Sequence, residues 1–270
     1  MKFVKYILGG GGILLLLIFA TYKVGGKVDA YRKSNELMLV SLYEARVMEN
    51  RTITLDTTAH RVLCIGNSIT HHAPRKGDLP GADSLWRGDW GMCASKEKMD
   101  YMHQLEKMFR QHNKNTTFTC KNIWVWENDF GINKDSLFGS ICQGKDVIIL
   151  KIGENVKKDR EEQYGEAFDE LVTYCLRFTP NVIIAGSYWK APVKEQAMIR
   201  AAREHHLPYV PLFWIYETYH DEVIAHVGDT IYDRHGQPYP IPTEFICTHP
   251  NDRGMRMIAE AIFDSVEFIN

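Results

Sequence analysis

From Arg61 onward the chain alternates short apolar runs with amphipathic stretches. Strand-length runs occur at Arg61 to Ile65, Thr117 to Trp126, Asp146 to Ile152, Asn181 to Gly186 and Pro208 to Leu212. "VIILKI" and "NVIIAG" are nearly continuous in apolar residues, the pattern of strands covered on both faces in a parallel sheet. Between the runs, Lys96 to Gln111, Asp159 to Arg177 and Val193 to His205 read as helices. A last helix is predicted over Met255 to Phe268, because Met255, Ile258, Ala259, Ile262, Phe263 and Val266 fall on one helical face. This alternation predicts the α/β class: a doubly wound, mainly parallel sheet of roughly five strands with right-handed crossovers. Long loops follow the first of these strands (67–95) and precede the last helix (225–248, with Pro238, Pro240 and Pro242). Loops at strand ends are where such sheets carry their sites.

Residues 1–27 break the pattern. An uncharged run from Tyr6 to Tyr22 stands between Lys5 and Lys23. As a helix it would span about 25 Å at about 1.5 Å per residue, just short of the roughly 30 Å hydrocarbon core. It reads as a signal peptide or a signal anchor. The nearest cleavage site, Ile18-Phe19-Ala20, starts on a poor residue, which favours the anchor and an exported domain partnered with the membrane through this segment. Gly9 to Gly12 lie inside the apolar run with no Gly-Lys-Ser/Thr behind them, so they are no phosphate loop. Residues 28–57 form a preamble with a helix-compatible stretch, "SNELMLVSLYEARVMEN", and a short strand in "RTITLD". Residues 58–270 are the globular domain.

Composition adds exclusions. With 32 basic against 34 acidic side chains, a net charge of −2 and no run of either sign, the chain has no electrostatic footprint for nucleic acid. Its six cysteines contain no C-x-x-C pair, which argues against a structural zinc site, and Cys64 and Cys175 sit in apolar contexts suited to buried thiols. His71 and His72 with Asp78 and Asp83 match no helical or hairpin ligand pair, so no metal is expected there.

Candidate chemistry starts at "CIGNSITHH". Gly66 lets the chain turn sharply off the first sheet strand, which would stand Ser68 at the carboxyl edge with its hydroxyl and its own N–H facing the crevice. A nucleophile elbow would need Gly-x-Ser-x-Gly, and position 70 is Thr, which disfavours the classical α/β-hydrolase arrangement. A serine hydroxyl needs a base. His71 and His72 are poorly aimed from so near in the same turn, and His205 and His206 end a helix, a structural position. His249, in the loop that returns over the sheet before the last helix, is the candidate base. Asn155, after "VIILKIGE", reaches the same edge and is a candidate oxyanion donor, although on its own helix capping would be the better explanation. The six tryptophans read mostly as core; Trp86 and Trp90, in the loop after Ser68, are the exception, as indoles that could stack on a sugar ring.

Gly-Asn-Ser after the first sheet strand, Gly-x-Asn after the middle strand and His-Pro before the last helix, in that order, resemble the SGNH hydrolases, the GDSL esterase and lipase superfamily. The resemblance covers about Arg61 to Asn270 and is strongest in "CIGNSIT" and "THPNDRGMRMIAEAI". It implies a flavodoxin-like three-layer α/β/α sandwich and cofactor-free hydrolysis of acyl esters, most simply acetyl esters of a carbohydrate. It also implies Ser68 as nucleophile, His249 as base, and an oxyanion hole of Ser68, Asn155 and a glycine N–H, with Gly131 ahead of Gly91. The family's acid three residues before the histidine is missing, since that position is Ile246. Glu244 is then the candidate acid, or a backbone carbonyl orients the imidazole and the pair works as a dyad. Two other functions fit the same residues: an envelope O-acyltransferase using the same serine, and a carbohydrate-binding module on a degenerate hydrolase fold.

Overall fold

The computed structural model describes residues 33, 51–74 and 86–269. The apolar run Tyr6 to Tyr22 and the helix-compatible stretch 34–50 lie outside the described residues. Among the described residues, no helix is long and apolar enough to cross a membrane.

Five parallel strands form the central sheet: β2 (Arg61–Gly66), β3 (Thr117–Asn122), β4 (Val147–Lys151), β5 (Val182–Ala185) and β6 (Tyr209–Val210). Their order is β3-β2-β4-β5-β6. Counted within the sheet this is 2-1-3-4-5, the doubly wound order whose switch point lies beside its first strand. Every residue of β4 is buried, the four apolar ones as a strand covered on both faces requires. Alternate residues of each strand enter different cores. Val62, Cys64, Val147, Ile149, Ile183 and Ala185 pack with α1 (Tyr101–Phe109), α5 (Phe213–Tyr219) and α6 (Asp252–Phe263). Leu63, Ile65, Ile148, Leu150, Val182 and Ile184 pack with α3 (Glu161–Leu176) and α4 (Pro192–Glu204). The sheet is thus covered by helices on both faces.

Two elements differ from the sequence pattern, and both matter. The run expected to be a strand as far as Trp126 stops at Asn122. There the Asn122 Oδ1 accepts the Trp124 N–H at 2.9 Å and starts α2 (Trp124–Asn128), which turns Glu127 inward. The last helix ends at Phe263 instead of Phe268. The Ser265 hydroxyl and N–H both donate to the Ile262 carbonyl, at 2.7 and 3.1 Å, and close the helix. "VEFI" then alternates as strand β9 (Val266–Ile269), parallel to β1 (Ile53–Asp56), with Ile53 opposite Val266. Val266 satisfied a helical spacing, yet its partner strand in the preamble decided its conformation. The hairpin of β7 (Thr230–Tyr232) and β8 (Pro238–Pro240) occupies the proline-rich loop before α6.

Candidate active site

The carboxyl edge of the sheet brings together Ser68, His249 and Asn155. Leaving β2, the chain closes at once into a tight turn: Thr70 and His71 both donate N–H groups to the Asn67 carbonyl, at 3.0 and 2.9 Å. Gly66 makes this turn sterically feasible. A Cβ there would overlap the Thr70 side chain and lie 2.5 Å from the Lys151 carbonyl oxygen of the neighbouring strand. The Ser68 carbonyl is tied down by the Met92 N–H at 2.8 Å, while its own N–H donates to no described residue. Ser68 itself is partly buried.

His249 arrives from the opposite direction. A single 3-10 turn, Glu244–Ile246, capped by Thr243, leads into it, and Asn251 caps α6 two residues later by accepting from Arg253 and Gly254 N–H. The Ser68 Oγ and His249 Nε2 stand 2.9 Å apart. Nδ1 of the same ring lies 3.0 Å from the Ile246 carbonyl oxygen. A carbonyl can only accept, so Nδ1 carries the proton and Nε2 offers its lone pair to the serine hydroxyl. The ring is further held by Trp189, whose indole meets it edge to face at 5.6 Å and whose Nε1 donates to the Thr248 carbonyl at 3.1 Å.

Burial pushes the His249 imidazolium down to about 4, and the Ile246 carbonyl opposes that shift. The imidazole is therefore neutral over the whole range above pH 5. An ordinary imidazole is protonated below about 6.5. The acid limb of kcat/KM for ester turnover is expected near pH 4 instead of near 6.5, with activity flat from about pH 5 to 7. A pH–rate profile on a small ester, with circular dichroism confirming the fold at each pH, checks this; a limb at 6 or above would contradict it.

Asn155 follows Gly153, which sits at φ +130°, a backbone conformation that L side chains rarely adopt. Beneath Ser68 and Asn155 lies a charged group that the sequence pattern did not reveal. Lys151, the last residue of β4, is completely buried and pairs with the carboxylate of Glu154, which is 2% exposed. Glu154 also accepts from Asn67 Nδ2 at 2.7 Å and from the Tyr188 N–H at 3.2 Å. Burial works against its charge, but Lys151 and these donors hold it below the usual carboxylate range. Glu127, also completely buried, accepts from Asn67, Gly153 and Asn155. Burial, with Glu154 nearby, raises it despite those bonds. The available signal was Lys151 itself: a cation ending an otherwise apolar strand needs a buried partner.

Several expected assignments are corrected. Glu244 is exposed and is not the group on Nδ1; the Ile246 carbonyl takes that place because the 3-10 turn points it at the ring. Gly131 is exposed, and its N–H is spent on Asp129 Oδ1 at 3.0 Å. The N–H of Gly91 goes to Asp100 Oδ2 at 3.1 Å, the same carboxylate that caps α1. Neither glycine therefore offers an oxyanion donor. Trp86 and Trp90 are buried, at 2% and 5% exposure, and pack edge to face on each other, so they form no sugar platform. His71 pairs with Asp89 at 3.1 Å, while Asp78 and Asp83 lie outside the described residues. His205 Nε2 binds Asp169 at 2.8 Å, the structural position expected of it. All six cysteines are free thiols, with Cys64 and Cys175 fully buried.

No protein-family model matches the sequence, and no curated protein matches it. Among solved structures, a catalytic mutant of Axe2, an acetylxylan esterase from Geobacillus stearothermophilus, aligns over 79% of this chain and 96% of its own, with a TM-score of 0.50 at 13% identity. The chain shares that esterase's fold. Two others align with lower scores. An α/β hydrolase from the metagenome of Lake Arreo, Spain, gives 0.48 at 18% identity over 77% of this chain and 96% of its own. A two-domain esterase active on acetylated mannans gives 0.46 at 17% identity over 85% of this chain and 52% of its own.

Proposed function

We propose that this chain is an SGNH-type serine esterase that hydrolyses acetyl esters carried by a carbohydrate. The observation that carries the reading is the 2.9 Å contact of Ser68 Oγ with His249 Nε2, in a ring whose tautomer is fixed by the Ile246 carbonyl. Such a pair can activate a hydroxyl that is inert at its free pKa. In this reading Ser68 Oγ attacks the ester carbonyl while Nε2 takes its proton. The tetrahedral oxyanion is met by the Ser68 N–H, which has no partner among the described residues, and by an amide hydrogen of Asn155. Collapse expels the sugar alkoxide, which receives the proton back from Nε2; water then repeats the cycle on the acyl-enzyme.

The choice of an acetylated carbohydrate among acyl esters follows the esterase that shares the fold, and it is an argument by analogy. The same proposal sets the domain on the outer face of a membrane, with residues 1–27 as its tether. Labelling with a fluorophosphonate probe tests the chemistry. The wild-type protein is expected to take up about one probe per chain, as one nucleophile requires, and Ser68→Ala none. A folded wild-type protein that stays unlabelled removes the esterase and leaves a binding module. Release of free acetate in the absence of any sugar acceptor separates hydrolysis from acyl transfer.

A further inference from the structure

A single buried carboxylate ties the nucleophile's turn to the oxyanion donor. Glu127 Oε1 accepts the N–H groups of Gly153 and Asn155 at 2.8 and 2.9 Å and Asn67 Nδ2 at 3.2 Å. Its Oε2 accepts Asn155 Nδ2 at 2.6 Å, the shortest of the four. Three of these donors fall on Oε1 and only the Asn155 amide on Oε2, so an ionised Glu127 is satisfied as an acceptor throughout. With the carboxylate ionised, the amide has one sense: flipped, its Oδ1 would face Glu127 Oε2 with no hydrogen between them, and a buried acceptor pair of that kind is strongly unfavourable.

We infer that Glu127 is the positioning residue of the oxyanion hole, holding the Asn155 amide by one hydrogen so that the other is presented to the substrate oxygen. The inference rests on the esterase reading. Glu127 touches no substrate; it acts through Asn155, and through Asn67 it holds the residue beside the nucleophile to the same point. The arrangement has a cost, because a negative charge near the hole opposes the oxyanion. The benefit must come from a donor that needs no reorganisation when the charge develops.

The test compares the wild-type protein with Glu127→Gln, Asn155→Ala and the double variant on an acetyl ester. Gln keeps the volume but can place an N–H2 against Asn155 Nδ2, forcing the amide to turn. Asn155→Ala is expected to lower kcat about 100-fold. Glu127→Gln should lower kcat about tenfold with KM within about twofold, and in the Asn155→Ala background it should cost less than about twofold more, because the group it acts through is gone. Losses that multiply would overturn the assignment. A second measurement needs no variant of Glu127: in the folded wild-type protein, one Asn155 side-chain amide proton should resonate far downfield of its twin and exchange more slowly. Two protons that exchange alike would overturn it too. Wild-type protein that turns over no ester overturns the esterase reading and this role together, whereas wild-type turnover with multiplying losses overturns the role of Glu127 alone.

Discussion

His249→Ala is expected to lower kcat on a small acetyl ester about 10⁴-fold or more, while Glu244→Gln leaves it within about twofold. The two expectations belong together because they separate the jobs that an acid does in a triad. One job is to hold the imidazole in the tautomer with its lone pair on the serine; losing that by substitution costs about 10⁴ in a serine protease. Here the Ile246 carbonyl does it at 3.0 Å, and it cannot be mistaken for a donor. The other job is to stabilise the imidazolium that forms as the serine attacks. A carbonyl dipole does this less well than a carboxylate, which agrees with a ring pushed down to about 4. The dyad is thus expected to be a slower catalyst than a full triad, yet still wholly dependent on its base. Steady-state kinetics of the two variants decide it. A His249→Ala protein within tenfold of wild type would mean that the 2.9 Å contact with Ser68 is structural.

What the sequence disclosed and what it hid differ by distance along the chain. The meeting of Ser68 and His249 at one sheet edge was legible because each stands next to its own positional cue, a strand-ending glycine in one case and a helix start in the other. Gly131 and Gly91 were misassigned because a glycine N–H is available only if no neighbour takes it, and Asp129 and Asp100 take these. Glu244 was chosen for proximity in sequence, but a backbone carbonyl carries no residue-type signal at all. The strand in "RTITLD" was readable from its alternation, whereas its partner Val266–Ile269 was not, since a four-residue strand with apolar ends also satisfies a helical face. Glu127 was hidden for a related reason. The strand expected as far as Trp126 left no helix at this point, whereas the Asn122 side chain, accepting the Trp124 N–H, turns the chain into a helix that buries Glu127.

Lys151→Met is expected to destabilise the fold by about 3–5 kcal/mol, the cost of leaving one member of a buried pair without the other. For a domain of this size that corresponds to a fall of very roughly 6–20 °C in Tm. Lys151 is completely buried and Glu154 nearly so, and solvent cannot replace the missing charge. The acid side distinguishes this cause from lost packing. In the wild-type protein the Glu154 pKa is held below its unfolded value, so its contribution is present above that value and fades as pH falls through the folded one. Without Lys151 the sign reverses: burial then raises the folded pKa above the unfolded one, and the penalty grows as pH rises past about 4.3. The stability gap between the two proteins should therefore narrow steadily from pH 7 to pH 4. A gap independent of pH would assign the loss to packing of the lysine stem. Lys151→Met combined with Glu154→Gln should recover much of the stability, because the orphaned charge is removed. It should not recover fluorophosphonate labelling to the same degree, since Glu154 Oε2 is an anchor of Asn67, one residue from the nucleophile.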